Sequence, residues 1–173
     1  MRALLLPLML MAALTACGEA RNQVGVAAAA EPSRIMGQFK ASDAAAAGDV
    51  GVERAGLIFS NGAALYTRTL EPRRGGDLTT RDGQSYAALA AGATDLHVEL
   101  RRVIDATDAD ALCGGEAPSY VALAYEARRS RFMLLLFAGA EPPSQIATQS
   151  RLCARYAYIP LLGAGPRDGV VLQ

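Results

Sequence analysis

His97 is the chain's single histidine, and it alternates with the residues around it. Leu96, Val98 and Leu100 take one side of an extended run, and His97, Glu99 and Arg101 take the other. An imidazole beside a carboxylate is raw material for general acid–base or metal chemistry. Such chemistry also needs a nucleophile and an orienting group, and no Gly-X-Ser-X-Gly elbow supplies them. The pattern therefore predicts His97 on the wet face of a half-buried strand. A second candidate is the acidic run Asp105, Asp108 and Asp110. Calcium takes six to eight oxygens, and an EF-hand loop places a Gly and a terminal Glu in register. Here the run continues into Ala111-Leu112-Cys113, which reads as a solvated turn.

The third candidate is basic. Arg73-Arg74, Arg101-Arg102 and Arg128-Arg129-X-Arg131 present guanidinium groups that can grip a phosphate or carboxylate through two parallel hydrogen bonds. Arg128, Arg129 and Arg131 fall at an expected hairpin tip and, with Tyr66, form the expected binding surface. Charges at such a tip also keep strand edges soluble. In the stretch Gly163 to Gly169 the third glycine is displaced and no helix pattern follows, so no nucleotide site is expected there. No catalytic residue, metal ligand or cofactor is expected.

The N-terminus reads as a processing signal. Arg2 supplies a positive charge, and residues 3–13 are uniformly apolar. Eleven residues at about 1.5 Å each cover about half of a ~30 Å hydrocarbon core, too little to span it. Leu14-Thr15-Ala16-Cys17 follows: an aliphatic residue, two small ones, then cysteine. This resembles the lipobox of bacterial lipoproteins. The resemblance implies cleavage before Cys17, a diacylglycerol on its sulfur and a further acyl chain on its amine. Two or three acyl chains hold a protein to a membrane essentially permanently, at ~0.8 kcal/mol per buried methylene. Gly18 in place of Asp after the cysteine implies transfer to the outer membrane, with the chain facing the periplasm. Membrane lipid is then the first partner, through acylated Cys17; anionic headgroups or another envelope protein are further ones.

Export leaves Cys113 and Cys153 as an even pair in an oxidising compartment, where a disulfide is expected. It would close a loop of 41 residues, contributing ~4 kcal/mol in the loop-entropy model. Neither Cys-X-X-Cys nor closely spaced histidines accompany the pair to suggest a redox or metal role.

The 173 residues allow one domain. Lysine plus arginine equals aspartate plus glutamate at 17 each, which disfavours a nucleic-acid binder driven by bulk positive charge. The apolar share of 51% includes 35 alanines, so core-forming residues are scarcer than that share suggests. The expected organisation is a signal peptide over 1–16, a lipidated Cys17 and Ala-rich tether over 17–52, a β domain over 53–160 and a loose tail over 161–173. Within the tether, Ile35, Met36 and Phe39 allow a short helix as an alternative.

From Arg54 the pattern is β. Gly56 to Ser60 and Ala63 to Thr69 flank Asn61-Gly62, which predicts a hairpin on a type I′ turn. Gln84 to Ala90 reads as a weak strand, Asp95 to Ile104 as a better one, and Tyr120–Glu126 with Phe132–Ala138 as a second hairpin. Phe132-Met-Leu-Leu-Leu-Phe-Ala138 is apolar throughout, which predicts cover on both faces. A last strand carries Leu152 to Tyr158. About six strands in so short a span predict a small antiparallel sandwich or barrel.

The expected function is a membrane-anchored envelope lipoprotein with a non-catalytic binding or accessory domain. The segments around Cys113 and Cys153 are similar to those of small exported bacterial domains, a likeness that carries no activity. Two alternatives stand beside this. One is an envelope hydrolase or metal-dependent enzyme using His97, Asp105 and Asp108. The other is a lysozyme-inhibitor-like role, since Ser60-Asn61-Gly62-Ala63-Ala64-Leu65-Tyr66 approximates the Ser-Gly-X-X-Tyr loop of those lipoproteins.

Overall fold

The computed structural model describes residues 35–42, 47–92, 94–127 and 131–161. They form nine strands: β1 (Gly37–Ala41), β2 (Val50–Val52), β3 (Gly56–Phe59), β4 (Ala64–Thr69), β5 (Arg73–Arg74), β6 (His97–Thr107), β7 (Tyr120–Tyr125), β8 (Phe132–Ala138) and β9 (Arg151–Pro160). A short helix, α1 (Tyr86–Ala90), precedes β6, and a 3-10 turn (Asp110–Cys113) follows it. Every pairing is antiparallel. The order β4-β3-β2-β1-β9-β8-β7-β6 closes through a β4–β6 pairing, with β5 as an extra piece on the edge of β6. Eight strands therefore make a closed barrel in which neighbours in sequence are mostly neighbours in space. Closure removes the free edges that an open sheet would leave.

The mainly β expectation holds, and the count of about six strands is corrected. The difference comes from β1, β2 and β5, which are five, three and two residues long. Two of them lie within residues 17–52, so the barrel begins well before residue 53, inside the segment expected to be a tether. β1 also replaces the helix allowed there. Ile35 and Phe39 are buried while Met36 is exposed, and a spacing of four satisfies an extended strand as well as a helix. The expected signal peptide, Cys17 and residues 162–173 of the expected tail lie outside the described residues.

The hairpin β3–β4 forms where the sequence placed it, with Leu57 opposite Leu65. Its turn differs. Phe59 N donates to Ala63 O at 2.9 Å across a three-residue connection, and Gly62 (φ 96°) is the residue of that turn at positive φ. This is the bulged form of hairpin loop and not type I′. Gln84–Ala90 was expected as a strand and is instead largely α1. Ser85 caps the helix by accepting from Ala88 N, and alanines favour the helical state.

Two apolar cores share the barrel wall. The inner one packs Phe39, Val52, Leu57, Leu65, Leu123, Phe132, Leu134 and Tyr158, among others. Phe132 meets Phe39 edge-on at 4.8 Å and stacks on Tyr158 at 5.2 Å. The outer core lies under α1, where Tyr86 and Leu89 cover Val98, Leu100, Ala122, Leu135 and Phe137. β8 thus sends Leu134 and Leu136 inward and Leu135 and Phe137 outward, and all four are buried. The unbroken apolar run is explained by this double cover.

Cys113 and Cys153 form a disulfide, with Cα atoms 5.0 Å apart. It fastens the 3-10 turn after β6 to β9. Tyr156 reinforces the attachment by donating its hydroxyl to Leu112 O at 2.8 Å. Among the described residues no helix is long and apolar enough to cross a membrane.

Candidate functional site

β6 carries the first surprise. The faces were expected as Leu96, Val98 and Leu100 toward the core and His97, Glu99 and Arg101 toward water. Instead Val98 and Leu100 lie outside the barrel wall beneath α1. Glu99 and Arg101 stand opposite Leu123 and Val121, on the face those residues turn to the inner core. Arg101 has no exposed surface. Its Nε donates to Glu99 Oε1 at 2.9 Å, and its Nη1 donates to Glu53 O at 2.7 Å in the β2–β3 connection. The pair binds β6 to that connection from within. His97, at the exposed rim of the same row, lies against Tyr125 with ring centroids 5.7 Å apart.

Of the expected binding residues, Tyr66 and Arg131 are not brought together. Tyr66 is half-exposed on β4, opposite Asp105 of β6. Arg131 immediately precedes β8, whose Phe132 lies opposite Tyr125, itself opposite His97. His97 and Asp105 are eight residues apart on β6, so the two sites are separated by roughly 26 Å along the strand at ~3.3 Å per residue. Arg128 and Arg129 lie outside the described residues. Asp105 accepts from Ala106 N, and Asp108 adopts positive φ (48°) at the end of β6. Among the described residues, no three histidine, cysteine, aspartate or glutamate side chains converge as a metal site.

What Arg131 does face is a groove on the outer wall, with a volume of about 410 Å³. That lies within the ~300–1,000 Å³ of small-molecule sites. Leu96, Ala124, Met133 and Ala157 give it an apolar floor, and the end of α1 (Ala90, Ala91) forms one wall. Two guanidinium groups, Arg131 and Arg155, flank it, together with Glu126. The local sequence explains the layout. Tyr156 and Tyr158 of β9 pack on the inner core, so alternation turns Arg155, Ala157 and Ile159 outward. Small Ala157 leaves the space, and the left-handed Ala91 (φ 50°) ends α1 before it can fill it.

Arg155 Nη1 donates to Leu89 O at 3.4 Å, covering a carbonyl at the end of α1. Arg131 lies 3.9 Å from Glu126 in an exposed, loosely held pair. Arg131 is legible in the sequence as part of a basic cluster, whereas Arg155 is not. The missed signal was an arginine on the outward row of a strand whose next outward residue is alanine.

No family model matches the chain, nor does any curated protein or solved structure.

Proposed function

We propose that this chain is a lipid-anchored envelope protein whose barrel acts by binding, with no reaction of its own. The observation that carries the binding reading is the groove of about 410 Å³ with an apolar floor and two flanking guanidinium groups. Concave apolar surface with a few convergent polar groups is the common design of ligand sites. The sequence Leu14-Thr15-Ala16-Cys17 supports the anchor, and the paired Cys113 and Cys153 support an oxidising compartment.

A photo-crosslinking amino acid placed at Met133 in the full chain, expressed in intact cells, tests the reading. The expected outcome is an adduct of discrete mass from the groove position and none from the same probe at Ile58, on the bare wall. Equal, diffuse labelling at both positions would contradict it.

A further inference from the structure

The chemistry of the groove names a class of ligand. Its floor is hydrocarbon: Leu96, Ala124, Met133 and Ala157. Burying apolar surface there is favourable at ~25 cal/mol per Å², and it sets no demand for hydrogen bonds along the floor. The charge at its mouth is positive on balance, since Arg131 and Arg155 face the single carboxylate of Glu126. Arg155 spends one of its five N–H donors on Leu89 O. The Arg131–Glu126 pair is exposed and 3.9 Å apart, a kind of contact worth ~0–1 kcal/mol that yields readily to a better partner.

The apolar surface also continues beyond the groove. Ile159 follows Ala157 on the outward row of β9 and is 43% exposed; Leu161 beyond it is 45% exposed. Met36, 54% exposed, precedes the strand that pairs with this end of β9. Lys40 sits opposite Ile159 in that pairing. An elongated apolar track with cations along its flank is complementary to one kind of molecule, a hydrocarbon chain ending in an anion.

We propose that the groove binds a free, single-chain anionic amphiphile of the fatty-acid type. The chain lies over Met133 and Ala157 and the acidic head meets Arg155 and Arg131. The assignment rests on the reading of the barrel as a binding domain, and it stands apart from the anchor at Cys17. A guanidinium presents a planar fork that matches a carboxylate in two parallel hydrogen bonds, so arginine suits the head better than a point charge would. The apolar floor makes affinity grow with chain length, and the arginines make it depend on the sign of the head.

The test uses the mature chain beginning at position 17 with Cys17→Ser, purified without detergent and titrated calorimetrically. Three probes separate the terms: dodecanoate, dodecyltrimethylammonium with the same chain and opposite charge, and acetate with the head alone. Dodecanoate is expected to saturate a single site below its aggregation concentration. The other two are expected to show no saturable binding at tenfold higher concentration. Arg131→Glu combined with Arg155→Glu should weaken dodecanoate at least tenfold. Arg155→Gln, which keeps a donor for Leu89 O, should weaken it in the same direction. Ala157→Trp should abolish binding by filling the floor, and Arg68→Glu, on the outer face of β4, should leave it unchanged. An intact disulfide and an unaltered far-ultraviolet spectrum qualify each variant as folded.

Equal binding of the two amphiphiles, indifference to the arginine changes, or adsorption to phosphatidylglycerol vesicles alone would each overturn the assignment. If dodecanoate fails while the probe at Met133 still captures a discrete partner, the amphiphile is wrong and the binding reading stands. If both fail, both readings fall.

Discussion

Arg101 and Glu99 form an ion pair within the barrel, two residues apart on one strand, with Nε 2.9 Å from Oε1 and no exposed arginine surface. Each charge offsets the cost of burying the other, and among the described residues neither has a second strong partner beyond the Glu53 carbonyl. Removing one charge strands its partner, which typically costs about 3–5 kcal/mol, whereas replacing both by apolar residues of similar size is often neutral. Arg101→Met is therefore expected to lower the urea midpoint sharply, and Glu99→Leu with Arg101→Met to recover most of the loss. Equal stability of the single variant and the parent would show that the pair carries no weight.

The disulfide ties the turn after β6 to β9 across a separation of 40 residues. The double variant Cys113→Ser, Cys153→Ser is expected to keep the barrel, because Tyr156 still holds Leu112 O. It should lose ~4 kcal/mol of unfolding free energy in the chain-entropy model. Urea titration of parent and variant, with the parent repeated under reductant, measures the difference.

Tyr86, the first residue of α1, is wholly buried, its hydroxyl donating to Pro143 O at 3.0 Å. Burial pushes its ionisation well above the ordinary tyrosine range, outweighing the neighbouring Arg73. The unfolded chain thus gives up this proton first, at the usual value of about 10. The stability tied to the neutral phenol is fully present below that pH and is lost as pH rises toward the folded value. Tyr86→Phe is expected to be less stable than the parent at pH 8 by about 1 kcal/mol, the worth of one hydrogen bond. The gap should narrow above pH 10, as read from denaturation midpoints across the alkaline range.

Leu134 and Leu135 are neighbours on β8, buried in opposite cores. Truncating either to alanine should cost about 2–5 kcal/mol, because each change leaves a cavity in packed surroundings. Ile104→Ala, at a position 65% exposed, should stay within about 0.5 kcal/mol. If Leu135 proved as tolerant as Ile104, the outer core under α1 would not be a core.

Local features of this fold were legible in the sequence. The β3–β4 hairpin showed in Asn61-Gly62 between apolar runs, and β7–β8 in two runs around a basic stretch of sequence. Double cover of β8 showed in seven apolar residues without alternation. Features decided by distant partners were not legible. β2 is three residues of Val-Gly-Val, and it is a strand only because β1 and β3 flank it. Alternation in β6 sorted its residues correctly into two faces, yet it could not say which face looks inward. A closed barrel with a helix on its outer wall has two dry sides, and the charged row took the inner one.

The site divides in the same way. Cys113 and Cys153 were legible because, once export is expected, an even pair of cysteines has one default state. Arg155 was not, because its meaning depends on α1 ending beside β9, a contact between segments 66 residues apart.

One measurement reaches the compartment directly: the intact mass of the chain extracted from the membrane fraction, with and without reduction. The expected result is a chain beginning at Cys17 that carries added acyl mass and gains two protons on reduction. An unmodified chain starting elsewhere, or a mass unchanged by reduction, would contradict the lipid-anchored, envelope-facing barrel proposed here.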